Sequence, residues 1–278
     1  MKSLKKWKWT NLYLIFVFVM LYVPIAYLIF YSFSAGDTMS NFHGFTWTHY
    51  QELFADTRMI QIVVDTLMLA LLSSLIATIV GTLGALAISR TSRPVVKNSI
   101  LSLNNILMVS PDVIIGASFL IFFTALHIPL GFLSVLLSHI AFSIPIVVLM
   151  VLPRLQEMSN TMLDAARDLG STNLQVLTRV IMPFITPGIL SGFFMAFTYS
   201  LDDFAVTFFV TGNGFETLSV EIYARARQGI SLEINALSGV MFLFSLVLVV
   251  GYYFIQRGTK SHKAKLKAKG AVSNEATH

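Results

Sequence analysis

Six long apolar runs restrict the fold of this chain more than any other feature of its sequence. Each run holds about 20 or more mostly apolar residues, the length that an α-helix needs to cross the hydrocarbon core of a bilayer. The chain is 55% hydrophobic and 12% charged, whereas about a quarter of the residues of a soluble domain are charged. We therefore predict an all-α membrane protein with six transmembrane helices. The predicted spans are Leu12 to Tyr31, Ile62 to Ile88, Ser99 to Leu126, Phe132 to Leu152, Pro187 to Val210 and Ala236 to Gln256.

The basic residues indicate how these spans are oriented. With six spans, only Arg58, Arg225 and Arg227 of the 19 Lys and Arg residues fall on the side opposite the termini. Because basic residues concentrate in cytoplasmic loops, we expect both termini to be cytoplasmic. The net charge of +5 then needs no nucleic acid as partner, since the basic residues flank apolar runs and do not form a soluble basic face. The predicted organisation is a basic N-terminus over 1–11, a six-span domain over 12–256 and a basic tail over 257–278.

The sequence offers no recognisable machinery for covalent catalysis. It contains no cysteine, which excludes disulfides, thiolate nucleophiles and cysteine metal sites. Its six histidines lack the spacing that places metal ligands on one helix, and its serines belong to no recognisable triad. No G-x-x-x-x-G-K-[ST] loop for binding ATP is present. We expect no catalytic residues, no metal site and no cofactor in this chain.

The longest predicted cytoplasmic loop, residues 153–183, has the pattern of two short helices. Apolar residues recur at helical spacing from Met158 to Leu169, and Gly170 stands where a helix would end. The polar residues after Gly170 can cap a second helix, which we expect to end at Pro183. By itself the pattern fits an amphipathic connector on the membrane surface or a docking site for another protein. An acidic stripe lies beside the apolar one on the helix surface; it consists of Glu157, Asp164 and Asp168.

This loop resembles the EAA loop of ABC importer permeases, which reads Glu-Ala-Ala, three residues, Gly, nine residues, Ile-x-Leu-Pro. Asp, Val and Met replace Glu, Ile and Leu of that pattern here. The resemblance implies a type I ABC importer permease fold (MetI-like), and a loop that docks on a separate ATPase subunit, which binds ATP and Mg²⁺. Carboxylates of the loop could pair with basic residues of that partner. The implied ATPase-coupling residues are Asp164, Ala165, Ala166, Asp168, Gly170 and Pro183.

Two adjacent acids lie within the fifth predicted span. An Asp at a helix centre costs roughly 2.5 to 3.5 kcal/mol on insertion scales, so it rarely occurs there without a partner or a role. Asp202 and Asp203 are about 100° apart on a helix, which requires at least one of them to face the protein interior or a cavity. We consider two interpretations: a site for a cation, or carboxylates that are hydrated or hydrogen-bonded to helix ends.

A third acid follows a proline in the third predicted span. We expect Pro111 to break or kink this helix and Asp112 to cap its second half, although broken helices also line transport cavities. Tyr199 is a core or lipid-facing residue or part of an ammonium site. The predicted substrate pathway therefore contains Asp112, Tyr199, Asp202 and Asp203. Small residues, among them Gly116, Gly188 and Gly192, are expected to permit close helix packing.

The outer segments carry more acidic than basic residues. Because acidic surfaces attract cations, this excess favours a positively charged solute at the outer entrance. The acids are Asp37, Glu52, Asp56, Glu216, Glu221 and Glu233.

Five segments, SPDVIIGASFL, HIAFSIP, MLDAARDLG, SLDDFAVTFFVTG and EINAL, are similar to the spermidine/putrescine permease family of ABC importers, over about residues 62–256. The resemblance implies polyamine import across the bacterial cytoplasmic membrane. It also implies three partners: a second homologous permease subunit that forms a heterodimer, a dimeric ATPase and an extracytoplasmic polyamine-binding protein.

Two alternatives stay open from the sequence. A permease of the same family could import another cationic solute. An ion-coupled secondary transporter could use the same intramembrane acids as coupling sites, but the pattern from Asp164 to Pro183 would then have no role.

Overall fold

A computed structural model describes residues 9–36, 38–228, 231–247 and 250. Regular secondary structure in this part of the chain is helical, and one isolated antiparallel bridge joins Ser34 and Phe45. The chain divides into two compact units: Met1–Thr57 together with Arg225–His278, and Arg58–Ala224. The all-α prediction is confirmed for the described residues.

Most of the helices follow one another with short connections; the segment between α1 and α2 is the longest of them. In chain order they are α1 (Trp9–Tyr31), α2 (Thr48–Ala55), α3 (Thr57–Arg90), α4 (Pro94–Val109), α5 (Asp112–Ala125), α6 (Phe132–Gln156), α7 (Asn160–Asp168), α8 (Asn173–Gln175), a π-helix (Val176–Ile181), α9 (Met182–Asp202), α10 (Ala205–Val210), α11 (Leu218–Gln228) and α12 (Leu232–Val247).

Four helical segments of the described chain are long and apolar enough to cross a membrane, and a bent pair could form a fifth span. Of the sixth predicted span, Ala236 to Gln256, the structure describes the part within α12 and residue 250. The predicted N-terminal segment and basic tail lie largely or wholly outside the described residues. The four segments are Asn11–Tyr31, Thr57–Arg90, Phe132–Gln156 and Asn173–Asp202, and the pair is α4 with α5.

The third predicted span is broken where Pro111 was expected to break it. Helices α4 and α5 meet at an angle of 106°, and both Ser110 and Pro111 have extended backbone angles. The ring of a proline disfavours the helical conformation for the residue before it, so the turn falls at this pair. The chain therefore changes direction directly before Asp112.

The predicted limits of the fifth span, Pro187 to Val210, are wrong at both ends. The helix that begins at Asn173 does not end at Pro183 but continues through the π-helix into α9. A proline removes one backbone N–H and crowds the carbonyl four residues earlier. That carbonyl belongs to Arg179, within the π-helix, where the wider turn replaces α-helical hydrogen bonding. At the other end α9 stops at Asp202, and α10 is a separate helix.

The second unit has a core between α6 and α9. Val147, Val151 and Ile185 are fully buried there. A Cβ atom at Gly188 would lie 2.9 Å from the carbonyl oxygen of Met150, so only glycine permits this approach. Gly192 against α6 and Gly116 against α10 show similarly close contacts, which confirms the expected tight packing at these three glycines.

The first unit has its own interior contacts. The hydroxyl groups of Ser32 and Tyr50 lie 2.8 Å apart, and the ring of Tyr50 stacks on that of Phe33. The guanidinium of Arg225 donates to Glu233 at 2.9 Å. The first two contacts connect the segment after α1 with helix α2, and the third connects α11 with α12.

Two glycines of α3 give a matched test of the packing. A Cβ at Gly81 would lie 2.7 Å from Cβ of Val147, whereas a Cβ at Gly84 would lie 3.7 Å from the nearest atom, in Val148. We expect Gly81→Ala to destabilise the protein by about 1–3 kcal/mol through overpacking. Gly84→Ala should leave it unchanged or stabilise it by up to about 1 kcal/mol through helix propensity. Equilibrium unfolding in detergent measures both; equal effects would contradict the packing described.

Candidate functional sites

The loop between α6 and α9 contains a sharp bend whose backbone groups are hydrogen-bonded. Gly170 has φ +79°, a left-handed conformation that glycine adopts without a steric cost. The N–H of Gly170 donates to the carbonyl of Arg167, and that of Ser171 to Ala166, which is the Schellman arrangement at a helix end. The predicted stop at Gly170 is confirmed.

A capping box begins the helix after the bend. The hydroxyl of Thr172 accepts from the N–H of Gln175 at 3.3 Å, and the side chain of Gln175 accepts from the N–H of Thr172 at 2.8 Å. The predicted cap in this segment is confirmed. The two ends of the bend are therefore fixed by local hydrogen bonds.

The two faces of α7 have different surroundings. Leu163 and Ala166 pack against the core of the second unit, whereas Asp164 and Ala165 are exposed. Asp164 accepts from Arg167 at 3.3 Å, with both side chains more than half exposed. Leu169 was expected on the apolar face but is 87% exposed, because it is the residue at which the chain leaves the helix. The loop thus presents acidic, small and apolar side chains outward.

Behind this loop is a cavity of about 530 Å³. It lies between α7, the start of α8, and the ends of α3 and α6. Arg90, Arg167, Ser89, Asn160 and Asn173 supply its polar lining.

Asp112 is the first residue of α5, and its carboxylate accepts a hydrogen bond from the hydroxyl of Tyr199 at 2.7 Å. The expected cap by Asp112 is wrong: no side-chain capping bond is formed at the start of α5. The ring of Tyr199 packs edge-on against Phe142. Two members of the predicted substrate pathway are thus in direct contact, from helices that are far apart in the sequence.

The two adjacent acids have different roles in the fold. Asp203 is 8% exposed, and its carboxylate accepts from the N–H groups of Val206 and Thr207 at 3.3 and 2.8 Å. It therefore accepts hydrogen bonds from free N–H groups in the first turn of α10. This agrees with the second interpretation above, a carboxylate that is hydrogen-bonded to a helix end. Asp202 is the last residue of α9 and is exposed.

His139 of α6 was not among the predicted site residues. It is fully buried; its Nδ1 lies 2.7 Å from the hydroxyl of Ser200 and its Nε2 lies 2.9 Å from that of Thr207. Nε2 is also 3.5 Å from a carboxylate oxygen of Asp203, and Ser200 contacts Ser73 of α3 at 2.9 Å. A signal was available, because a buried acid usually has a basic or hydrogen-bonding partner.

The acids of the predicted outer segments are less available to a cationic solute than their number suggested. Arg58 donates to Glu216 at 2.6 Å and to Glu221 at 3.0 Å. Arg225 pairs with Glu233 and, at 3.5 Å, with Asp56. Four of the predicted cation-attracting carboxylates therefore face guanidinium groups, which reduces the negative potential that they would otherwise produce.

Solved structures define the class of fold. A bacterial ABC transporter that imports the acidic polysaccharide alginate has a chain that matches with a TM-score of 0.69, covering 88% of this chain and 92% of its own length at 18% identity. The MetNI methionine ABC transporter matches with a TM-score of 0.53, covering 72% and 94% at 19% identity. The fold is that of an ABC importer permease.

The sequence comparisons give the family. Residues 77–261 match the family model of the binding-protein-dependent transport system inner membrane component, and this chain belongs to that family. It is 36% identical to the spermidine/putrescine transport system permease protein PotC of Haemophilus influenzae over 89% of this chain and 96% of the relative. It is 33% identical to the putrescine transport system permease protein PotI of Escherichia coli over 91% and 92%.

The bend at Gly170 can be tested separately from transport. A Cβ atom at Gly170 would meet no other atom within 4 Å, so substitution there changes backbone strain and not packing. Gly170→Ala should cost about 1–2 kcal/mol in the left-handed conformation, and Gly170→Asn less. Hydrogen exchange over residues 160–175 should be fastest in the Ala variant and intermediate in the Asn variant; equal protection in all three proteins would contradict a strained bend.

Proposed function

We propose that this chain is a transmembrane permease subunit of an ATP-driven importer of polyamines such as spermidine and putrescine. The observation that carries this proposal is its identity of 36% with spermidine/putrescine permeases along 89–90% of the chain. Family membership also favours an ABC importer over an ion-coupled secondary transporter. Within the family, another cationic solute is the competing cargo.

The assembly that we propose contains a second homologous permease, a dimeric ATPase that binds ATP and Mg²⁺, and an extracytoplasmic polyamine-binding protein. In this proposal the chain has six spans with both termini in the cytoplasm, and the loop of α7 and α8 docks on the ATPase. The exposed Asp164, Ala165, Asp168 and Leu169 support docking there. Gly170 sets the bend, and Pro183 lies in the helix that continues from the loop into the membrane.

The substrate pathway that we propose runs past Asp112, Tyr199 and Asp202. A polyamine is linear and carries several ammonium groups, each of which can donate to a carboxylate or lie on an aromatic face. Asp202 is exposed at the end of α9. A charged residue facing lipid is costly, so its exposed carboxylate is best placed toward a cavity. Asp203 belongs to the same pathway through its position next to Asp202.

Charge reversal at the loop tests the coupling. Asp164→Lys should leave membrane insertion intact, because an exposed ion pair contributes only about 0–1 kcal/mol, but should uncouple ATP hydrolysis from uptake. Glu157→Lys is the matched control, since Glu157 is also an exposed acid paired with an arginine three residues away, at 2.9 Å. Uptake and ATPase rate of the complete transporter are measured together. Normal coupling in Asp164→Lys, or equal uncoupling in both variants, would contradict the docking role of Asp164.

Neutralising the pathway acids tests the cargo site. Asp112→Asn and Asp202→Asn should each reduce uptake of radiolabelled spermidine by about tenfold or more at matched membrane abundance, since each removes a charge-assisted hydrogen bond to an ammonium group. Asp65→Asn is the control: Asp65 accepts from Gln61 near the start of α3, and its variant should retain uptake within about twofold. Unchanged uptake in both pathway variants would remove these acids from the substrate path.

A further inference from the structure

The adjacent acids Asp202 and Asp203 are not equivalent as partners for a solute. The carboxylate of Asp203 has three hydrogen-bond donors within 3.3 Å, two backbone N–H groups and the hydroxyl of Thr207. Nε2 of His139 is a fourth donor group nearby, at 3.5 Å. An ammonium group would have to displace these contacts to reach Asp203. Asp202 makes no hydrogen bond or ion pair within the described residues.

The hydrogen-bond directions identify His139 as the residue that completes this arrangement. The hydroxyl of Thr207 donates to Asp203, so it accepts from Nε2 of His139. Nδ1 is then free to accept from Ser200, which in turn accepts from Ser73. Every polar atom in this chain of contacts has a partner, as buried polar groups require.

The chain of contacts also tolerates a charged imidazole. If Nδ1 carries a proton, Ser200 accepts from it and donates to Ser73, whose hydroxyl can donate to the carbonyl of Ala70 at 3.2 Å. His139 can thus face the Asp203 carboxylate as a neutral or as a positive donor. Because His139 is fully buried with both nitrogens engaged, it acts through Asp203 and not on a solute.

The position of the α9–α10 break follows from these contacts. Asp203 has extended backbone angles, φ −63° and ψ 123°, between two helices, and its side chain is held from α6 by His139 and from α10 by Thr207. Asp202 directly precedes it as the last residue of α9, so the break decides that the Asp202 carboxylate lies at a helix end and not within a continuous helix. The contact between Ser200 and Ser73 links this group of hydrogen-bonded residues to α3.

We propose that His139 is a positioning residue for transport: through Thr207 and Asp203 it fixes the break between α9 and α10, and thereby holds Asp202 as the carboxylate of the pair that is exposed to the solute. This inference rests on the transport function proposed above. It makes His139, Thr207 and Asp203 one positioning unit that acts on uptake through Asp202.

A double-mutant cycle in the complete reconstituted transporter tests this unit. We expect His139→Leu and Asp203→Asn each to lower spermidine uptake and the ATPase rate per assembled complex by about tenfold, because each leaves buried polar groups unpaired. The double variant should lose no more than the worse single variant, since coupled residues are not additive. With Asp202→Asn in place of Asp203→Asn, the loss in uptake should likewise not exceed the worse single loss, because His139 and Asp203 act on uptake through the position of Asp202.

Variants that change fewer contacts test the proposal if the His139→Leu protein does not assemble into the transporter. Thr207→Val removes the hydroxyl that bridges His139 and Asp203 at nearly constant volume, and Thr207→Ser retains it. We expect Thr207→Val to lower the ATPase rate and uptake and Thr207→Ser to retain most of both. His139→Gln, whose amide can still donate toward Thr207, should be closer to the parent than His139→Asn, whose shorter side chain cannot.

Three outcomes would overturn the proposal. The first is multiplying losses in His139→Leu/Asp203→Asn, and the second is equal behaviour of Thr207→Val and Thr207→Ser. The third is a fall in the amount or melting temperature of the complex with unchanged rates per complex, which would leave His139 a purely structural role. If the parent hydrolyses ATP but takes up no spermidine, the proposed cargo is wrong, and the cycle in ATPase rate still decides the role of His139.

Discussion

The carboxylate of Asp203 satisfies a helix break within a membrane protein, and the arrangement of the second unit depends on it. Lipid supplies no hydrogen bonds, so backbone groups freed between α9 and α10 need partners from the protein itself. Asp203 accepts from two of these N–H groups, but a buried carboxylate is itself costly unless it is well paired. Thr207 and His139 provide that pairing, and the serine contacts of His139 extend it to α3. One break thus joins four helices.

The loop at the other end of α9 is connected to this break by continuous helix. From Asn173 to Asp202 the backbone stays helical, through one π-helical segment. The preceding helix, α7, is held differently: its inner face packs on the core through Leu163 and Ala166, and Gly170 separates it from α8. A partner that contacts the loop therefore has two mechanical routes into the membrane part, one through packing and one along the backbone to Asp202.

The sequence was most informative where structure is decided locally. Pro111 predicted a break that the structure contains, and the residues from Gly170 to Thr172 predicted a bend with a cap, because these signals depend on a few neighbouring dihedral angles and hydrogen bonds. The predicted helix end at Pro183 is wrong, since a π-helix accommodates this proline and no local sequence pattern indicates that geometry. His139 and its contact with Asp203 could not be placed either: they come from different helices, and only the packing of α6 on α9 brings them together.

The length of α3 gives the second unit a further mechanical property. Its 34 residues extend about 51 Å at about 1.5 Å per residue, whereas the hydrocarbon core is about 30 Å thick. Arg58 and Arg90, near its two ends, can therefore both reach the aqueous phases while Ser73, near its middle, bonds to Ser200. A rod held at its centre in this way turns small rotations into opposite displacements at its ends: tilting by about 10° moves each end by about 4 Å. The serine contact thus lies close to the centre of such a rotation. A displacement of one end of α3 is then accompanied by an opposite displacement of its other end, on the other side of the membrane.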